Sequence, residues 1–227
     1  MGKRKKRGIT HYKSSQKILL VGEGNFSFSA CLARAFGSAT NMVATSLDSK
    51  ARLLTKYNGS CKPHLKELKT RGCLVLHQVN VEDMKRHPKL KDMKFDVVVF
   101  NFPHAGHFGY HETDSRLIKM HKDLIRAFFG SASEMLMEGG EVHVTHRDDK
   151  PYCKWNLEEL AGEAGLELKE KVIFRKEDYP GYSNKRGSDV RGNGAFPLKD
   201  TFTFKFYISD DQMVNIDDIF SRLRIRG

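Results

Sequence analysis

The sequence predicts an α/β domain, a mostly parallel sheet covered by helices on both faces, with an antiparallel last strand. Three observations predict it. Short apolar runs recur along the chain and close on glycine, asparagine or an acid; helical stretches separate most of them; and the last two runs have no helix between them. Apolar runs alternating with helices are the pattern of parallel strands joined by crossovers.

Ile18-Leu19-Leu20-Val21, closed by Gly22, is apolar at every position, as a strand buried on both faces must be. A helix is expected from Phe26 to Phe36. Met42 to Leu47 is the second strand, closed by Asp48, and residues 49 to 71 read as helix broken near Asn58-Gly59 and Pro63. Leu74 to Val79 and Phe95 to Phe100 are the third and fourth strands. The longest helix is expected between Asp114 and Glu138. Its apolar face is Leu117, His121, Leu124, Phe128, Ala132 and Met135, and Gly139-Gly140 is its stop. Glu141 to Thr145 is the fifth strand, Trp155 to Ala164 is helical, and Leu168 to Phe174 and Thr201 to Ile208 are the sixth and seventh strands. The 26-residue connection from Arg175 to Asp200 joins the last two as an edge hairpin. It is long, basic and aromatic, which favours a functional loop. The resulting architecture is Rossmann-like.

At 227 residues, with 39% hydrophobic and 30% charged residues, the chain suits one globular domain with tails. Three parts are expected: a basic, unstructured arm over residues 1–16, the α/β domain over 17–208, and a tail over 209–227. Met213, Ile216, Ile219, Phe220 and Leu223 give that tail the spacing of a docking helix. No run of ~18 apolar residues is present, so no membrane partner is expected. The four cysteines form no CxxC pair, which argues against a disulfide framework or a zinc site and for a reduced, intracellular setting.

Residues 1 to 17 hold seven basic side chains and no acid, leaving +4 of the net +11 for the rest of the chain. The block Lys3, Arg4, Lys5, Lys6 and Arg7 reads as a nuclear or nucleolar address, an RNA-binding arm, or both, with the cytoplasm as a further location. Such an arm supplies salt-sensitive affinity for phosphates and no sequence choice.

Two turns carry the chemistry. Gly22, Glu23, Gly24, Asn25, Phe26 and Ser27 join the first strand to the first helix, where glycines let a ligand approach the backbone. Asp48 follows Gly24 by 24 residues, near the ~20-residue offset of an acid that accepts from ribose hydroxyls. Asn80 and Val81, after the third strand, are candidates for a nucleoside base. Ser27 stands where a dinucleotide fingerprint has its third glycine, which favours a mononucleoside cofactor over NAD. The fourth strand ends in Asn101, Phe102, Pro103 and His104. The asparagine amide suits a planar ring edge, the proline stiffens the turn, and the two rings can stack. His104, His107 and His111 read as loop histidines for stacking or proton transfer, not as a metal site, and His146 closes the fifth strand facing the same edge.

The runs Ile18 to Ser29, Phe95 to Gly106 and Tyr179 to Gly187 resemble the ribosomal RNA uridine-N3 methyltransferase family, yeast members of which modify large-subunit rRNA, in a plant or animal-type form. The resemblance spans roughly residues 10 to 208 and implies the seven-stranded S-adenosylmethionine-dependent methyltransferase fold. By that resemblance Gly22 to Ser27 hold the methionine side of S-adenosylmethionine, Asp48 the ribose, and Asn80 with Val81 the adenine. Asn101, Phe102, Pro103 and His104 then position the target base, Asn101 on its edge, Phe102 stacked on it and His104 accepting its proton. The basic arm, Tyr182, Lys185, Arg186 and Arg191, with Arg175 and Lys176, would grip RNA. Two other functions fit the same residues: a non-catalytic RNA-binding or ribosome-assembly protein, and a methyltransferase acting on a protein amide or small molecule.

Overall fold

The computed structural model describes residues 7–187 and 192–209. A seven-stranded sheet runs in the order β5-β4-β3-β6-β7-β9-β8. Its strands are β3 (Ile18–Val21), β4 (Met42–Ser46), β5 (Leu74–His77), β6 (Phe95–Asn101), β7 (Leu136–Arg147), β8 (Leu166–Ile173) and β9 (Thr201–Ile208). A small hairpin of β1 (Gly8–Ile9) and β2 (Tyr12–Lys13) precedes them. The helices are α1 (Ser27–Phe36), α2 (Lys50–Lys56), α3 (Lys62–Thr70), α4 (Ser115–Ser133) and α5 (Leu157–Gly162).

Packing on both faces explains why β3 and residues Val97 to Phe100 of β6 are apolar at every position. Leu19 and Val21 face a core shared with α4 and α5, while Ile18 and Leu20 face a second core shared with α1 and α3. In β6, Val98 and Phe100 join the first core and Val97 and Val99 the second. Strand side chains alternate between faces, so only a strand with helices on both sides buries all of them. Each such side chain contributes ~1.5–3 kcal/mol on burial. β3 lies parallel to both β4 and β6, pairing Leu20 with Ala44 on one side and Val21 with Phe100 on the other. Chain order leaves β3 in opposite directions at this point, which opens a crevice at the carboxyl ends of β3 and β6.

The described structure departs from the sequence reading in two places. Residues 8–13 are not an unstructured arm: they form the β1–β2 hairpin, anchored by Tyr12, which is 1% exposed. Lys3, Arg4, Lys5 and Lys6, with Arg191 and the tail beyond Ser209, lie outside the described residues. α4 ends at Ser133, so Met135 falls beyond it, and Gly139-Gly140 sits inside β7. The register passes from Phe95–Leu136 to Val97–Glu141, and the extra residues bulge out. Gly140 has no room for a side chain there, since a Cβ would meet the Phe95 carbonyl at 3.0 Å. The last two strands form the edge hairpin that the sequence predicts: β9 inserts antiparallel between β7 and β8, and β8 is outermost.

Candidate active site

The turn after β3 is held from three sides. Gly22 has φ +65° and its α-carbon faces the Phe100 ring so closely that a Cβ would come within 2.4 Å of it. Glu23 N–H donates to the Thr45 carbonyl at 2.8 Å, tying the turn to β4. Asn25 Oδ1 accepts from Ser27 N–H at 3.1 Å. Gly24 is needed for space: a Cβ would stand 2.8 Å from Tyr57 Oη. Ser27 Oγ accepts from Ser183 N–H at 3.0 Å and lies 3.2 Å from the Ser183 carbonyl, so the serine in the third fingerprint position clamps the 179–187 loop over the turn.

The cleft so formed is lined by Gly22 to Phe28, with Asp48, Lys56 and Tyr57 at one end and Asn101, Phe102 and His104 at the other; Tyr182, Lys185 and Arg186 roof it. Ser49, not Asp48, caps α2, accepting from Arg52 N–H at 3.2 Å. That leaves the Asp48 carboxylate facing the cleft, steadied by Arg52 at 3.0 Å and Lys56 at 2.8 Å. Glu23 is buried, and burial raises its carboxyl to about 7 against the opposing hydrogen bond from Ser29.

Asn80 and Val81 are not brought to this cleft. Asn80 Oδ1 turns back to accept from Glu82 N–H at 3.2 Å, and Val81 is packed in the core against α4. Gln78, two residues earlier and at φ +59°, faces the open groove beyond Asp48 instead. The third strand ends at His77, so the residues that reach the sheet edge come earlier than the sequence reading placed them.

The turn after β6 forms the wall between this cleft and a second cavity. Phe102 adopts φ +50°, with its N–H donating to the Thr145 carbonyl at 2.7 Å. Its ring meets Phe174 and Phe196 edge-on at 5.7 and 5.0 Å and lines both spaces. Both amide atoms of Asn101 are buried without a partner. An orphaned buried amide costs ~1–3 kcal/mol per group, a cost that a bound ligand removes. The second cavity, about 290 Å³, is lined chiefly by rings: Phe102, Pro103, His104, His146, Tyr152, Trp155 and Phe196, with Glu112, Arg147, Lys185 and Arg186.

His104 does not have a free nitrogen with which to accept a proton. Its Nδ1 accepts from Gly106 N–H at 3.0 Å, so its hydrogen is on Nε2, which donates to Glu112 Oε1 at 3.0 Å. His121, fully buried, repeats the pattern: Nδ1 accepts from Ala105 N–H at 3.2 Å and Nε2 faces Glu112 Oε2 at 3.7 Å. Burial opposes ionisation of Glu112, but the hydrogen bond from His104, with the His121 imidazole close by, outweighs it and holds the carboxyl well below its usual range. His104, Glu112 and His121 place one ligand atom each within 4.8 Å of one another, a metal-like spacing. A metal on Nε2, however, needs a lone pair there and a hydrogen on Nδ1, the reverse of what the two backbone N–H groups impose. The cluster is a carboxylate held by the His104 N–H and set against the His121 imidazole, which itself accepts from Ala105 N–H and so ties the Asn101–Glu112 loop to α4.

The sequence reading missed Glu112, His121, Arg147, Tyr152 and Trp155 as site residues. His121 stacks on Trp155 at 4.2 Å, His146 lies 4.3 Å from the same indole, and Arg147 covers Tyr152 at 4.3 Å. His121 at core spacing on a helix looks like any core residue, so no local signal distinguishes it. Tyr182, expected on RNA, packs its ring against Phe28 at 5.5 Å under the loop. Among the described residues no helix is long and apolar enough to cross a membrane.

The family model "BMT5-like: rRNA (uridine-N3-)-methyltransferase BTM5-like" matches residues 19–186. The chain belongs to this family. It is 49% identical over 88% of its length to heavy metal-associated isoprenylated plant protein 41 of Arabidopsis thaliana, of which it spans 39%. It is 47% identical to the uncharacterized protein At4g26485 of the same plant, over 87% of this chain and 95% of that one. The 25S rRNA (uridine(2634)-N(3))-methyltransferase of Saccharomyces cerevisiae is 23% identical, over 91% of this chain and 77% of that one. Among solved structures, a methyltransferase from Pyrococcus furiosus superposes with a TM-score of 0.50 at 13% identity, covering 86% of this chain and 75% of that one. An S-adenosylmethionine-dependent methyltransferase from Clostridium acetobutylicum also reaches 0.50, at 11% identity, covering 85% and 83%. The fold is the Rossmann-like methyltransferase fold, mostly parallel with an antiparallel last strand.

Proposed function

We propose that this chain is an S-adenosylmethionine-dependent methyltransferase that methylates N3 of a uridine in ribosomal RNA. The observation that carries the reading is Asn101, whose amide is buried with both polar atoms unpartnered in the wall of the first cleft, one residue before the Phe102 that lines both cavities. The amide N–H of Asn101 complements a carbonyl of a uracil edge and leaves N3 open to the methyl group.

The first cleft fits the cofactor. Its glycine turn leaves main chain exposed where a Cβ at Gly24 would fill the space, Asp48 faces it with lone pairs for ribose hydroxyls, and Glu23 offers a carboxyl to an ammonium. When bound, the cofactor supplies a methyl group activated by a positively charged sulfur. The protein aligns acceptor nitrogen and methyl carbon through the rigid Asn101–His104 turn, so much of the acceleration is positional. The acceptor base must be unpaired or flipped out, because N3 is hidden in a base pair. The ring-lined second cavity has the chemistry to hold such a base by stacking.

Family membership favours ribosomal RNA over a protein amide or small molecule as acceptor. The block Lys3, Arg4, Lys5, Lys6 and Arg7, with Arg191, supports RNA binding and a nuclear or nucleolar location by its charge. The test combines calorimetric titration with S-adenosylmethionine and incubation with in-vitro-transcribed large-subunit rRNA, followed by nucleoside mass spectrometry. Micromolar binding and 3-methyluridine are expected. Cofactor binding with RNA bound but left unmethylated would move the assembly-protein reading ahead.

A further inference from the structure

We propose that Lys185 and Arg186 are catalytic residues that hold the target uracil as its N3 anion, the proton having gone to solvent, so that no side chain serves as the proton acceptor. The inference rests on uridine N3 being the methyl acceptor.

Lys185 and Arg186 line both the cofactor cleft and the ring-lined cavity. They stand at the junction where nitrogen and methyl group must meet, not on an outer RNA face. Main-chain carbonyls hold them there: Lys185 Nζ donates to Asn193 O at 2.8 Å and Arg186 Nε to Ala195 O at 3.3 Å. Neither is ion-paired with a carboxylate among the described residues, whereas Arg147 in the same cavity is engaged by Asp149 at 2.7 Å. Two cations with no carboxylate partner among the described residues, placed at a reaction centre, favour an anionic ligand.

The candidate proton acceptors facing that cavity are poorly suited. His104 has both nitrogens engaged, and Glu112, held well below the usual carboxyl range, already accepts the His104 N–H. His107 points Nδ1 at Glu112 at 3.3 Å, and His146 donates Nε2–H to the Tyr152 carbonyl at 3.3 Å. Their remaining nitrogens would take a proton only by creating a cation where burial resists it, most of all at His146, held at about 4. Tyr152, its hydroxyl pushed up by burial, is no base at neutral pH. A uracil anion instead spreads its charge over N3 and two carbonyl oxygens, beside Lys185 and Arg186 and the unpartnered amide of Asn101. The N3–H bond breaks with its proton leaving to water. The N3 lone pair then takes the methyl carbon, whose bond pair stays on sulfur, and neutral 3-methyluracil no longer satisfies the two cations.

The test is single-turnover methyl transfer, across pH, to large-subunit rRNA transcribed with either uridine or 5-fluorouridine, since fluorine at C5 acidifies N3–H. The rate is expected to rise tenfold per pH unit to a plateau on both RNAs. The break should fall at lower pH on the fluorinated one, by the difference in acidity of the two nucleosides. Lys185→Met should move both breaks upward by about one pH unit or more, the scale of a nearby charge, with the plateau rate recovered at high pH. A break at one pH on both RNAs would assign the ionisation to a protein base and overturn the proposal. So would a Lys185→Met variant slowed equally at every pH. If a protein that binds S-adenosylmethionine methylates neither RNA, the uridine-N3 reading itself falls, and this inference with it.

Discussion

The two cavities on either side of the Asn101–His104 turn are built by different means. The cofactor cleft is made by backbone: a glycine turn, a left-handed Phe102, and one acid at the end of a strand. The ring-lined cavity is made by side chains drawn from the turn after β6, the end of β7, the Tyr152–Trp155 turn, and Lys185, Arg186, Phe196 and Pro197. A backbone site is local in sequence and tolerates little change at a few glycines. A side-chain site is dispersed, tolerates conservative exchange, and takes its specificity from which rings and charges converge. Phe102 and His104, directly after Asn101 in the same turn, line both, and Asn101 itself lines the first.

Four outcomes would break or sharpen that contrast. The largest effect is expected at the shared wall: Asn101→Ala should lower single-turnover methyl transfer by ~10²–10³-fold, the scale of losing a preorganised hydrogen-bonding group, while cofactor affinity changes little. Parallel loss of cofactor binding would show that the two spaces are one site. Next, Gly24→Val should weaken cofactor affinity by roughly 30-fold or more, because a side chain would collide with Tyr57 Oη 2.8 Å away. RNA binding by a gel-shift assay should persist.

A smaller effect comes from Glu23. A carboxyl held near 7 must shed its proton to face a cation, so cofactor affinity should fall as pH drops below 7, approaching tenfold per unit, and level off above it. Binding at pH 6 should release close to one proton, measurable by calorimetry in two buffers of different ionisation enthalpy and absent in Glu23→Gln. By the same linkage the unliganded protein should lose stability as pH rises from about 5 through 7. Over that range the folded carboxyl keeps a proton that the unfolded chain has released. The smallest effect is expected at His121→Phe. It strands Ala105 N–H, costing ~1–3 kcal/mol in denaturant unfolding. Cofactor affinity should stay intact; a large loss there would mean that the clamp also shapes the cleft.

The sheet was readable because its central strands have no polar face, and β9 was placed to the residue as Thr201–Ile208. The glycine turn, Asp48 and Asn101 were readable because turns at strand ends use residue types with specific backbone or amide chemistry. Asn80 and Val81 were misplaced by the length of a strand end, since one residue's shift reverses the face a side chain takes. His104 was assigned the wrong role because its tautomer is set by Gly106 N–H and Glu112, contacts that a residue's type does not reveal.

Hydrophobic period and turn chemistry act over a few residues, so the linear chain already specified the alternating α/β order, the cofactor turn and the amide at the end of β6. The pairing of β9 between β7 and β8, the carboxylate clamp on His104 and His121, and the convergence of Lys185 and Arg186 on the wall between the cavities depend on contacts between distant segments. Those contacts exist only once the two cores have closed on the sheet, because packing, not local preference, selects which remote side chains meet.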